Sequence, residues 1–169
     1  EARRPAERAH PPFWPGPFNY IDPVFPFNWC RAGIFGLLTP HGGILDDSMG
    51  TAVFAPSHVV NTNGYVYALP VDRNTIPCDW YPPGLWPVKI RELMVRDTHL
   101  QCPVLAGINY DPSELGPIAE KALGVYEFDL YSNARWSSVR TAQVDTVNKC
   151  VYFQTDHPGV FCLGGELPV

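Results

Sequence analysis

The sequence has little charge and no long apolar run. Charged residues make up 17% of its 169 positions, the net charge is −5, and the one basic cluster consists of Arg3, Arg4 and Arg8. Nucleic-acid binding needs a clustered basic face for phosphate contacts, so we expect no nucleic acid partner. No stretch approaches the roughly 18 apolar residues of a membrane-spanning helix, so we also expect no membrane span.

Signatures of catalysis and of bound cofactors are missing as well. There is no Gly-x-Ser-x-Gly motif, no phosphate loop, no dinucleotide fingerprint and no CxxC pair for a structural zinc site. His41 with Asp46 and Asp47 supplies too few oxygen atoms for calcium. We therefore expect no cofactor, no metal and no enzymatic activity. The least favoured alternative is a hydrolase that uses Asp46, Asp47 or Asp79 as paired carboxylates.

Proline and glycine, by contrast, are abundant, with nineteen and fourteen residues. This composition opposes long helices and suits strands joined by turns. No helical apolar periodicity extends beyond residues 112–123, and residues 103–163 read as a succession of short strands. We predict a mostly β protein with about nine or ten strands, an antiparallel β-sandwich over residues 30–169 preceded by an extended arm.

That arm, residues 1–29, alternates prolines with aromatic residues. Proline holds such a stretch extended, while aromatic rings are too costly to leave in water. We therefore predict that the arm lies on a surface. It either packs along its own sandwich and covers a sheet edge, or docks on a neighbouring subunit or protein partner. The candidate contact residues are Phe13, Trp14, Phe18, Tyr20, Phe25, Phe27 and Trp29.

A second aromatic group falls in a predicted loop, residues 72–87. Trp80, Tyr81 and Trp86 stand there among prolines, and rigidly held aromatic residues are typical of interface hot spots. Three interpretations stay open. The rings bind a protein partner, they stack on sugar faces as in a carbohydrate-binding module, or the two tryptophans fold back and plug one end of the sandwich.

The five cysteines allow two disulfides and leave one residue over. If residues 151–154 and 159–161 form a hairpin, Cys150 and Cys162 lie opposite each other with Cα atoms about 4.5 Å apart, near the lower limit for a disulfide. The alternative is two buried thiols that pack as small hydrophobic groups. Cys78 with Cys102 would form the second bridge, which leaves Cys30 free or intermolecular.

The order of several motifs over residues 31–164 resembles a ZU5 domain. Residues 32–35, 40–45 with their Gly-Gly pair, and 50–56 are similar to the opening of that family, and residues 103–115, the strand around Phe128, Trp136 and residues 145–161 are similar to its second half. The resemblance implies a β-sandwich scaffold. ZU5 domains in ankyrins, netrin receptors and tight-junction proteins hold protein partners or neighbouring domains.

Related sandwiches of the GAIN type cut themselves at a turn in which a histidine precedes a Ser or Thr nucleophile. Residues 155–161 resemble that turn, and His157 matches the histidine, but Pro158 and Gly159 occupy the next two positions. The resemblance therefore implies that self-cleavage is absent.

Together these observations predict a non-catalytic structural or assembly module whose partner is another protein or a second copy of the chain. The cysteines, the missing initial methionine and the scarcity of lysine favour an extracellular or cell-surface location. The ZU5 resemblance favours a cytoplasmic, cytoskeletal one instead.

Overall fold

The computed structural model describes residues 34–46, 51–73, 81–129 and 135–168. Single 3₁₀ turns at Pro112–Glu114 and Glu120–Ala122 are the helical elements between the sixth and seventh strands. The described residues form eleven strands: β1 (Ile34–Leu38), β2 (Gly43–Asp46), β3 (Thr51–Ala55), β4 (Gly64–Val71), β5 (Leu85–Arg96), β6 (Val104–Asn109), β7 (Leu123–Asp129), β8 (Arg135–Ser138), β9 (Gln143–Asp145), β10 (Cys150–Thr155) and β11 (Gly159–Glu166).

The strands form two antiparallel sheets that pack on each other. One has six strands in the order β1-β4-β5-β11-β7-β8, and the other has five in the order β2-β3-β6-β10-β9. This arrangement confirms the predicted β-sandwich. The predicted arm, residues 1–29, lies outside the described residues. Among the residues that are described, no helix is long and apolar enough to cross a membrane.

The core between the sheets follows from the period of two along each strand. On β10, Val151 and Phe153 face the core, and on β11, Phe161 and Leu163 do the same. The rings of Phe153 and Phe161 meet across the core with centroids 4.8 Å apart. Full burial of a side chain of this size contributes about 1.5–3 kcal/mol to the stability of the folded state. These alternating positions therefore decide which face of each strand points inward.

Both sheets are apolar on their outer faces too. Cys162 alternates with the inward residues of β11 and pairs with Ile90 of β5, yet the two are only 0% and 1% exposed. A separate buried cluster lies on the outer face of the five-stranded sheet and consists of Ile44, Ala52, Phe54, Leu105, Cys150 and Tyr152. Strands buried on both faces lose the simple alternation that indicates a solvent-facing side.

The predicted hairpin of residues 151–154 and 159–161 is wrong. β10 pairs with β6 and β9, whereas β11 pairs with β5 and β7 in the other sheet. The turn at residues 156–158 therefore crosses from one sheet to the other. The inward residues of the two strands face each other across the core instead of lying side by side in one ladder.

The predicted disulfide between Cys150 and Cys162 is wrong for the same reason. The two residues lie on opposite outer faces of the sandwich, and both are buried free thiols. They pack as small hydrophobic groups, as the alternative interpretation expected. Cys102 is also a free thiol, which contradicts a bridge to Cys78. Cys78 and Cys30 lie outside the described residues.

The loop predicted for residues 72–87 is shorter than expected because β5 begins at Leu85. Pro87 lies inside this central strand opposite Gly164, next to the point where the register with β11 shifts. A proline cannot donate to a ladder, and such an irregularity is where an inner strand tolerates one. Trp86 is therefore a strand residue.

Candidate functional site

The turn that links β10 to β11 is held by the side chain of Thr155. Its hydroxyl donates to the main-chain oxygen of His157 (2.8 Å) and accepts the main-chain N–H of the same residue (3.3 Å). Thr155 is itself buried. This contact fixes Asp156 and His157 at the end of the sandwich where the chain crosses between the sheets.

Both ring nitrogens of His157 meet a carboxylate. Nδ1 lies 2.7 Å from Oδ1 of Asp156, and Nε2 contacts Oε1 of Glu127 on β7. An imidazole donates at both nitrogens only when it is protonated, so two acceptors favour the charged form. The hydrogen bond to Asp156 is the largest cause that raises the pKa of His157; burial opposes it and Glu127 adds to it. The same hydrogen bond lowers the pKa of Asp156.

A groove of about 540 Å³ opens beside this charged cluster. It lies over β5, β11 and β7, where Glu92 pairs with Val160 and Val160 pairs with Phe128. Apolar side chains form most of its surface, and two glutamates, a serine and the histidine add polar groups. The lining residues are Glu92, Leu93, Met94, Glu127, Phe128, Ser137, His157, Pro158, Gly159 and Val160.

Glu92 is a partly buried carboxylate on β5. Within the part of the chain that the structure describes, no hydrogen bond or ion pair reaches it, whereas Glu127 is paired with His157. Withdrawing a carboxylate from water costs free energy unless a cation or a donor compensates. A free negative group beside an apolar surface suits a cationic ligand that has an apolar stem.

An aromatic stack lies on the outer face of the six-stranded sheet. The rings of Tyr81 and Trp136 are nearly parallel, with centroids 5.6 Å apart, and Trp136 meets Phe128 at 4.9 Å. The Tyr81 hydroxyl donates to the main-chain oxygen of Arg73 (3.1 Å), and burial raises the pKa of Tyr81 to about 12. The indole N–H of Trp136 is buried and has no hydrogen-bond partner in the described structure. Apolar contact therefore holds this stack.

The structure separates the two predicted contact residues that it describes. Tyr81 belongs to the outer stack, and one face of its ring is taken by Trp136. Trp86 packs against the inter-sheet core, and its ring lies so close to Gly116 that a Cβ there would be 3.1 Å away. This placement agrees with a plugging role for Trp86. The remaining predicted contact residues, Phe13, Trp14, Phe18, Tyr20, Phe25, Phe27, Trp29 and Trp80, lie outside the described residues.

The His157 turn differs in its chemistry from a self-cleaving turn. Gly159 follows Pro158 in this turn, and a Cβ there would lie 2.9 Å from Oε1 of Glu127. Both ring nitrogens of His157 face carboxylates, and the nearby hydroxyl of Thr155 is engaged with the main chain. This geometry supports charge pairing and gives no support to nucleophilic attack.

The acidic residues considered for metal binding or hydrolysis do not form a site in the described residues. Asp46 ends β2, and His41 is exposed in the turn before that strand. Asp47 and Asp79 lie outside the described residues. In the described ranges, no group of three or more His, Cys, Asp and Glu side chains is placed to hold a metal ion.

Sequence reasoning singled out His157 but missed the two glutamates of the groove. Tyr126 and Phe128 alternate with Glu127 in the sequence, a pattern typical of a half-buried strand on which Glu127 would face solvent. In the structure Tyr126 and Phe128 belong to the outer aromatic cluster, and Glu127 lies on the opposite face of β7. Local sequence gives no comparable signal for Glu92, because β5 also contains the charged residues Lys89 and Arg91.

Comparison with known proteins assigns no family. No protein-family model matches the chain, and no curated protein matches it significantly. The fold and the groove are therefore the observations from which a function is inferred.

Proposed function

We propose that this chain is a non-catalytic structural module that assembles with neighbouring subunits or a protein partner. The contacts come from the N-terminal arm, residues 1–29, and from the aromatic surface around Tyr81. The observation that best supports this proposal is the six-stranded sheet, which has clusters of apolar side chains on both faces. Its outer face carries the cluster of Ile90, Phe128, Trp136 and Cys162, and the arm, which is rich in aromatic residues, joins the chain just before β1, the edge strand of that sheet.

The geometry at His157 supports a non-catalytic role. The one histidine beside the groove is enclosed by Asp156 and Glu127, which pair with it electrostatically. Thr155, the hydroxyl residue of the same turn, is used to hold the turn. These groups act as parts of a rigid surface.

The resemblance to ZU5 domains supports the same proposal. Members of that family act as scaffolds that hold partners, and the residues that carry the resemblance cover most of the sandwich. Under this proposal the sandwich is the rigid body and the arm is the element that connects it to another molecule.

Native mass spectrometry under non-reducing conditions tests the proposal. The full chain is compared with a chain that lacks residues 1–29 and with a full-length variant carrying Phe13→Ala, Trp14→Ala and Phe18→Ala. We expect a multimer for the full chain and a shift to monomer for both variants, with circular dichroism showing that the sandwich is retained. A full chain that is monomeric across micromolar concentrations, or a multimer that both variants preserve, would contradict assembly through the arm.

A further inference from the structure

β1 begins at the level of the groove. Ile34 pairs with Ala68, Ala68 pairs with Leu93, and Leu93 pairs with Gly159, so one row across four strands joins the start of β1 to the groove. Three strand spacings of about 4.8 Å separate Ile34 from Gly159, a distance of about 14 Å. β1 therefore begins in the same row of the sheet as Leu93 and Gly159 of the groove, and it runs from that row toward the end of the sheet where Arg96 lies.

The groove and the beginning of the chain carry opposite charges. Three carboxylates line or border the groove against a single histidine, and Glu92 has no partner within the described residues. The one basic cluster of the sequence is Arg3, Arg4 and Arg8, whose three positive charges outnumber the negative charges of Glu1 and Glu7 in the same segment. A guanidinium group forms strong hydrogen bonds with a carboxylate, and its aliphatic stem packs well on an apolar surface. The groove offers both features.

We propose that the groove of one copy of this chain binds residues 1–8, the basic end of the arm, from a second copy. This rests on the assembly role proposed above and names the surface that receives the arm. In the occupied groove an arginine pairs with Glu92 while its stem lies on Phe128 and Val160.

The length of the arm allows it to reach the groove of a second copy. The 25 residues 9–33 lie between the basic cluster and β1 and include six prolines. Extended at about 3.1 Å per residue, they span roughly 80 Å, several times the distance to the chain's own groove. Two copies related by a two-fold axis exchange arms reciprocally.

Charge exchange between two full-length variants tests this directly. One variant carries Glu92→Lys, and the other carries Arg3→Glu, Arg4→Glu and Arg8→Glu. Each alone places like charges together, so we expect the dimer dissociation constant to rise at least about fivefold. An equimolar mixture places opposite charges together in both grooves of a mixed dimer, so we expect affinity close to that of the unchanged chain, measured by native mass spectrometry.

A matched control uses Glu166→Lys, the same charge change at an exposed position on the far end of β11. We expect it to leave the dissociation constant unchanged. Trypsin cleavage after Arg8 gives a second readout: it should be slow in the dimer and should become faster on dilution or with Glu92→Lys.

Two outcomes would overturn the proposal. If Glu92→Lys behaves like Glu166→Lys while removal of residues 1–29 still dissociates the multimer, the arm assembles elsewhere and only the groove assignment fails. If Arg8 is protected in a monomer at every concentration, the arm occupies its own groove and exchange with a second copy is wrong.

Discussion

At the scale of single residues, the imidazole of His157 makes the stability of the protein depend on pH. Its pKa is raised in the folded state, first by the hydrogen bond to Asp156 and further by Glu127. The folded state therefore binds this proton more tightly than the unfolded state does. The resulting stabilisation is complete below the ordinary histidine pKa of about 6.5 and is lost as pH rises through the higher folded value. Asp156, whose pKa is lowered, behaves oppositely and loses its contribution in acid.

We therefore expect His157→Gln to remove part of the pH dependence of stability. The free energy of unfolding of the unchanged chain should fall by about 0.5 kcal/mol between pH 5.5 and pH 8.5, a small value because the ring is half exposed. Urea unfolding at both pH values measures it. His41→Gln is the control, since the His41 side chain has no hydrogen bond or ion pair within the described structure. An identical pH slope in His157→Gln and the unchanged chain would refute this prediction.

At the scale of elements, the turn between β1 and β2 depends on a glycine. Gly42 has φ +70°, its N–H donates to the main-chain oxygen of Thr39 (2.9 Å), and a Cβ there would lie 2.3 Å from the main-chain oxygen of Ala55. Gly84, before β5, has a similar φ of +80° but open space around it. Substitution at Gly84 therefore introduces backbone strain alone, whereas substitution at Gly42 introduces backbone strain and steric overlap.

Gly84→Ala should lower the free energy of unfolding by about 1 kcal/mol, because alanine disfavours a positive φ. Gly42→Ala should cost at least about 2 kcal/mol, because the same strain is joined by a collision with a main-chain atom of β3. Thermal or urea unfolding of both variants checks the order. Equal losses would show that the turn moves away from Ala55 without cost.

The elements also show how far the sequence predicts the fold. Local composition and turn residues such as Asn63-Gly64 indicate strands at residues 51–55 and 64–71, and these ranges coincide with β3 and β4. The partner of each strand could not be predicted in the same way. β10 and β11 are apolar on both faces, so no solvent side shows which neighbour each strand has.

The sequence did not indicate the groove, for a related reason. Glu92, Glu127 and His157 are far apart in the sequence, and they meet only because β11 inserts between β5 and β7. A local pattern gives the type of a strand but not its place in a sheet. His157 was found through its turn motif, whereas the two glutamates required the register.

At the scale of the whole molecule, β11 connects the two halves of the six-stranded sheet. It pairs with β5 on one side and with β7 on the other, and it contributes Phe161 and Leu163 to the core. We expect a chain that ends at Pro158 to lose its cooperative unfolding transition, because β1-β4-β5 and β7-β8 are then no longer connected. A chain that ends at Leu167 should keep the transition, which near-ultraviolet circular dichroism during heating would show. A cooperative transition in the shorter chain would contradict a central role for β11.

The position of β11 also sets the order of events while the protein is made. A ribosome releases β5 and β7 well before it releases the strand that lies between them, so the nascent chain carries two half-sheets whose facing edges stay unpaired until β11 emerges. Such edges recruit strands from other chains. Ribosomes that make this protein should therefore depend on chaperones until β11 emerges.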